Sequence, residues 1–123
     1  MKIRIYYEDT DMGGIVYHAN YIKYCERARS ELFFNSGFAL GEKDCHFVVK
    51  DLTASYLSPA KLGDLLEVKL SVLECKNAST IVRHEIFNKS KKIFQADITL
   101  VFVCKGKIAR LEESVKEFLL SLN

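Results

Sequence analysis

The sequence predicts an α+β domain in which one amphipathic helix is followed by a run of antiparallel strands. Three observations carry that expectation. Apolar residues recur at helical spacing from Tyr21 to Phe33, change to alternation between Leu66 and Cys104, and return to helical spacing only from Leu111 to Leu122. Strands grouped together with helices set apart argue against a doubly wound parallel sheet.

A short strand is expected over Lys2 to Tyr7. The helix after it places Ile22, Cys25, Ala28, Leu32 and Phe33 on one side and Lys23, Arg27, Ser30 and Glu31 on the other. Its start falls between His18 and Asn20, and Asn35-Ser36-Gly37 ends it, glycine being suited to a left-handed cap. Phe47 to Leu57 reads as a strand that stops at Ser58-Pro59. Leu66, Val68, Leu70 and Val72 alternate with Glu67, Lys69 and Ser71, the mark of a half-buried strand. The turn Lys76-Asn77-Ala78-Ser79 leads into a strand over Thr80 to Phe87. The longest alternation comes last, with Phe94, Ala96, Ile98, Leu100, Phe102 and Cys104 on one face. Lys105-Gly106-Lys107 turns the chain into a short run, Ile108 to Leu111. Leu111, Val115, Phe118, Leu119 and Leu122 then make a terminal helix with Glu112 and Glu113 in its first turn, where acidic groups favour the helix dipole. A meander wrapped round one helix leaves a sheet edge open, and a homo-oligomer is the expected remedy.

The 123 residues form one expected domain, 1–123, without linker or repeat, and 49% of them are apolar. A net charge of +2 without a basic stripe excludes a nucleic-acid surface. Lys89-Ser90-Lys91-Lys92 reads as a solvated hairpin turn. Cys25, Cys45, Cys75 and Cys104 show no metal-ligand spacing, and Cys25, Cys75 and Cys104 lie in periodic segments where a free thiol acts as a small hydrophobe. Cys45-His46 is an adjacency and not a site, so no metal is expected. The N-terminus lacks an apolar leader, and no run approaches the roughly eighteen apolar residues of a membrane span. These features predict a cytoplasmic protein with reduced thiols.

The chemistry concentrates in Tyr6-Tyr7-Glu8-Asp9-Thr10-Asp11-Met12-Gly13-Gly14-Ile15-Val16-Tyr17-His18-Ala19-Asn20-Tyr21. Three carboxylates run into a glycine pair that permits a tight reversal just before the helix. Unpaired N–H groups at a helix start can polarise a carbonyl oxygen, and Asp11 beside them can act as base to a water or as nucleophile. On chemistry alone a solvated turn and an oxygen-ligand cation site stay open beside catalysis, although the calcium-loop pattern is not met. Glu8 and Asp9 read as turn residues that satisfy backbone donors, and Asn20 as a backbone hydrogen-bonder. Tyr17 and Tyr21 read as pocket walls or core.

This stretch, continued by Ile22-Lys23-Tyr24-Cys25-Glu26-Arg27-Ala28-Arg29-Ser30-Glu31, resembles the signature of the YbgC-like acyl-CoA thioesterases of the 4-hydroxybenzoyl-CoA thioesterase family. The match is dense over Arg4 to Glu31 and continues in element order, with Ser58-Pro59-Ala60 and Gly63-Asp64 as its next piece. The resemblance implies a hotdog fold, an antiparallel sheet of five or six strands wrapped around a central helix, plus a C-terminal helix. It implies hydrolysis of acyl-CoA, with acyl carrier protein thioesters as a further substrate class, in a homotetramer built as a dimer of dimers. It assigns the catalytic carboxylate to Asp11 and the carbonyl-polarising N–H to His18, with the His18 side chain and Tyr7 as further site residues; Tyr17, read above as a pocket wall, is the residue expected against the substrate. No cofactor is implied, coenzyme A being part of the substrate. The family's nucleotide contacts align with Lys76 and Ser79, but the arginine-rich run of the benzoyl-CoA enzyme is missing, and Lys61, Arg83 or Lys89 are the substitutes on offer. Glu26, the helix carboxylate of another hotdog branch, has Arg27 and Arg29 nearby and reads as an ion pair or a buried structural contact. Two alternatives stay open: a hydroxyacyl-thioester dehydratase using His18 and Glu26, and a non-catalytic acyl-CoA binder.

Overall fold

A computed structural model describes residues 1–38 and 44–123. Within them lie strand β1 (Lys2–Arg4), helix α1 (His18–Ser36), strands β2 (Cys45–Tyr56), β3 (Leu65–Cys75), β4 (Ser79–Asn88), β5 (Lys91–Cys104) and β6 (Lys107–Ile108), and helix α2 (Glu113–Leu120). The strands form one antiparallel sheet in the order β1-β3-β4-β5-β2, with β6 added to β5.

The sheet curls around α1. The helix contributes Tyr21, Tyr24, Cys25, Ala28 and Phe33 to the core, and β4 and β5 face it with Val82, Ile86, Phe94, Ala96, Ile98 and Leu100. Alternation decides this packing, because inward positions recur every second residue along each strand. Gly37 closes α1 at φ 87°, a left-handed conformation that costs a glycine little. This is the hotdog arrangement that the resemblance implies.

Some boundaries differ from expectation. The first strand stops at Arg4, because the Asp9 carboxylate accepts the Tyr6 backbone N–H at 2.8 Å and starts a 3₁₀ turn over Tyr7–Asp9. The terminal helix begins at Glu113, with Glu112 as its N-cap and Leu111 buried before it.

The cysteines correct the expectation of reduced thiols. Cys45 and Cys104 are directly opposed in the antiparallel register of β2 and β5, and they form a disulfide. Directly opposed residues bring their Cβ atoms within about 4.5–5.5 Å, so the register creates the bond. Cys25 and Cys75 are free.

β2 is an edge strand of twelve residues whose outer side pairs with nothing among the described residues. It exposes Val48, Val49, Leu52 and Tyr56, an apolar edge of the kind that proteins usually cover.

Candidate active site

The loop from Tyr6 to Tyr17 is a folded unit. Thr10 and Val16 form an antiparallel bridge, the Asp11 N–H donates to Ile15 O at 2.9 Å, and Gly14, at φ 80°, donates to Asp11 O at 3.0 Å. The Tyr17 N–H donates to Asp9 O at 2.9 Å, and the Asn20 side-chain amide donates to the same oxygen at 2.8 Å. These bonds seat the loop on the first turn of α1. A second seam attaches it to the segment after β2: Ile15 bridges Lys61, and the Val16 N–H donates to Ala60 O at 2.9 Å.

The Asp11 carboxylate is held within this turn. Its Oδ1 accepts the Gly13 N–H at 2.8 Å, and a Cβ added to Gly13 would lie 3.2 Å from the same oxygen. The glycine therefore gives the carboxylate both its donor and its room.

Asp11 and His18 line one cleft of about 330 Å³, walled by Val16, Tyr21, Tyr56 and Pro59. His18 is the first residue of α1, and the N-cap Tyr17 makes no side-chain cap bond. Among the described residues nothing accepts the His18 N–H, so the helix start presents a free donor at the positive end of its dipole. The imidazole packs on Tyr17, with ring centroids 4.6 Å apart. From the opposite wall the Tyr56 hydroxyl donates to His18 O at 2.8 Å. Tyr21 accepts the Ala60 N–H at 3.2 Å and stacks on Phe94. Burial pushes the pKa of both phenols above the ordinary tyrosine value, so they stay protonated. A carboxylate, a free helix-start N–H and an aromatic floor can together hold a carbonyl and activate a water against it.

The remaining expected site residues lie elsewhere. Tyr7 is 83% exposed on the 3₁₀ turn and does not line the cleft. Tyr17 contributes its ring to the His18 stack. Lys76 and Ser79 sit at the β3–β4 turn, where Lys76 pairs with Glu74 at 3.5 Å and donates its backbone N–H to Ser79 O. Ser79 is paired with Val101, whereas the cleft lies beside Phe94. Seven residues of strand, about 23 Å, separate the two within one chain.

Glu26 is exposed and accepts the Ser30 hydroxyl at 2.8 Å. It makes no ion pair among the described residues and is not buried, which corrects the expectation of an ion pair or a buried structural contact. One turn on, Arg29 and Ser30 join Glu26 around a separate cavity of about 280 Å³. Glu26 and His18 therefore line different cavities.

One polar cluster was not foreseen. His84 is fully buried on the inward face of β4, Arg29 Nη1 lies 3.0 Å from its Nε2, and its Nδ1 lies 3.3 Å from Ala96 O. Arginine can only donate, so Nε2 accepts and Nδ1 carries the proton to Ala96. Burial, reinforced by the Arg29 charge, pushes the His84 pKa down to about 4 and keeps the ring neutral. The alternation Thr80, Val82, His84, Ile86 already places this histidine among core positions.

The family model of the thioesterase superfamily matches residues 13–94. An acyl-CoA thioesterase YbgC of Helicobacter pylori is 39% identical over 112 residues, covering 84% of each chain. An acyl-CoA thioester hydrolase YbgC of Escherichia coli O6:H1 is 37% identical over 105 residues, covering 82% of this chain and 78% of the other. The crystal structure of a hypothetical protein from Aquifex aeolicus superposes with a TM-score of 0.92 at 27% identity, covering 97% of both chains.

Proposed function

The chain belongs to the thioesterase superfamily, and we propose that it hydrolyses the thioester of acyl-coenzyme A to a carboxylic acid and free thiol. The observation that carries the reading is the cleft shared by Asp11 and the first residue of α1. The thioester carbonyl accepts the His18 backbone N–H, and the helix dipole stabilises the charge that develops on its oxygen. Asp11 takes a proton from water as the water oxygen bonds to the carbonyl carbon. Collapse of the tetrahedral species breaks the C–S bond, and the proton returns to the departing thiolate. In the covalent variant Asp11 itself attacks, the thiolate leaves, and water hydrolyses the resulting anhydride. A single turnover in ¹⁸O water that labels the Asp11 carboxylate identifies the covalent route with water attacking the aspartyl carbonyl of the anhydride.

The His18 ring, stacked on Tyr17, positions the water or tunes Asp11 in this proposal, and Tyr7 has no assigned step. The scheme draws on no metal or organic cofactor. Acyl carrier protein thioesters belong to the same proposal, as does a cytoplasmic location, where the reducing thiol pool would open the Cys45–Cys104 bond. A homo-oligomer, with a dimer of dimers as the expected form, is favoured by the unpaired apolar edge of β2. It would also let Lys76 and Ser79 of one subunit approach the cleft of another.

Thiol release from acyl-CoA substrates graded in chain length tests the reading. Turnover supports it, and binding without turnover across the series replaces it with the non-catalytic alternative.

A further inference from the structure

Two tyrosines wall the cleft that holds Asp11 and His18, and their protons have different fates. Tyr56, at the end of β2, gives its proton to His18 O at 2.8 Å. Tyr21, one turn into α1, accepts the Ala60 N–H at 3.2 Å, and its own proton meets no acceptor among the described residues. A phenol carries one proton and two lone pairs, so a hydroxyl that accepts from the backbone still has a donor to place. Tyr21 is only 3% exposed, and a buried donor left without a partner is costly.

The hydroxyl is held between walls of the cleft. Ala60 follows Pro59 and accepts the Val16 N–H at 2.9 Å, and both Pro59 and Val16 line the cleft. The ring is fixed as well, stacked on Phe94 with centroids 5.1 Å apart and edge-on to Tyr56 at 5.5 Å. Tyr21 stands three residues after His18, so the two share a face of α1, and helical side chains lean towards the helix N-terminus. The phenol therefore leans over the turn that presents the free His18 N–H. Burial raises the pKa of this phenol, so its proton stays in place at neutral pH, and the Ala60 bond into its oxygen strengthens it as a donor.

We propose that Tyr21 is a catalytic residue whose hydroxyl donates to the carbonyl oxygen of the bound thioester, beside the His18 backbone N–H. The inference rests on the thioesterase reading and adds a side-chain donor to its oxyanion site. As the attacking oxygen bonds to the carbonyl carbon, the π pair of the C=O moves onto its oxygen. The hydrogen bond from Tyr21 strengthens as that charge develops, and the proton stays on the phenol. A ring already fixed by Phe94 and Tyr56 needs no reorganisation at that moment. Tyr56 is excluded from this role while its proton is on His18 O. The two phenols divide the work: Tyr56 holds the helix start, and Tyr21 acts on the substrate.

The test uses the full chain in two altered forms. Tyr21→Phe keeps the ring and removes the hydroxyl, and a ring-fluorinated tyrosine installed at position 21 keeps the hydroxyl and makes its proton more acidic. Tyr21→Phe should lower kcat for acyl-CoA by at least about tenfold with KM nearly unchanged. The fluorinated protein should lose kcat at a lower alkaline pH than the wild type, because a phenolate cannot donate. Asp11, His18 and Tyr56, the other ionisable groups of the cleft, are the same in both proteins, so the difference belongs to position 21. A Tyr21 that only packed and held Ala60 would leave the alkaline limb in place. A kcat loss below about tenfold in folded Tyr21→Phe overturns the proposal, as does a loss carried by KM alone or an alkaline limb that fluorination does not move. If Tyr21→Phe fails to fold, the fluorinated protein decides by itself. If the wild type hydrolyses no acyl-CoA, the thioesterase reading has failed, and calorimetry with two analogues still decides Tyr21: a ketone with methylene in place of the sulfur, and a thioether lacking the carbonyl. A preference for the ketone that Tyr21→Phe abolishes upholds the donor, and no preference, or one that survives the substitution, overturns it.

Discussion

Asp11 accepts the Gly13 N–H through Oδ1 at 2.8 Å, so the residue that orients the carboxylate is also the one that leaves room for it. Its second oxygen has no protein donor among the described residues. A carboxylate anchored by one oxygen is fixed in direction while the other remains free to work as a base.

Gly13→Ala tests that relationship. The new Cβ would lie 3.2 Å from Oδ1, and the carboxylate must shift by a few tenths of an ångström to relieve the contact. Such a displacement should lower kcat by about tenfold, since positioning errors of about 1 Å can cost a hundredfold. The melting temperature should stay nearly unchanged, because Gly13 lies on an exposed turn. A large loss of stability would show that the glycine serves the fold and not the site.

His84 predicts an acid-sensitive stability. Its folded pKa is about 4 against an ordinary 6.5, so between those values the unfolded chain takes up a proton that the folded chain refuses. Stability is therefore complete above about pH 6.5 and declines as the pH falls towards 4, by on the order of 3 kcal/mol. His84→Gln keeps a side-chain acceptor for Arg29 and should flatten this slope in chemical denaturation. An equal slope in the variant would assign the acid sensitivity to other groups.

The Cys45–Cys104 bond closes a loop with a sequence separation of 59. Chain entropy alone puts its contribution at up to about 4 kcal/mol, so a Cys45→Ala/Cys104→Ala double variant should melt below the oxidised protein by up to roughly 15 °C. Protein denatured without reductant in the presence of a thiol-alkylating reagent should take up two labels, at Cys25 and Cys75. Four would mean that the bond does not form where the protein is made, as a reducing cytoplasm would enforce.

How much of this was legible in the sequence follows from the range of the interactions involved. Helix α1 and strands β3 to β5 declare themselves by period, since burial on one side of an element repeats every 3.6 or every 2 residues. That Asp11 and His18 line one cleft was readable because a loop of six intervening residues leaves little freedom in their relative placement. The disulfide was not readable: Cys45 and Cys104 meet only through the register of β2 on β5, which no local pattern announces. The strand-to-turn change at Tyr6 was missed because one side-chain bond, from Tyr6 N–H to Asp9, outweighs the apolar pattern there.

The most direct test of the central claim is thiol release at saturating acyl-CoA by Asp11→Asn. The substitution keeps the shape and an oxygen for the Gly13 N–H but removes the charge. The account predicts a fall in kcat of at least about a hundredfold, with an unchanged melting temperature. Near wild-type turnover by the folded variant would contradict it.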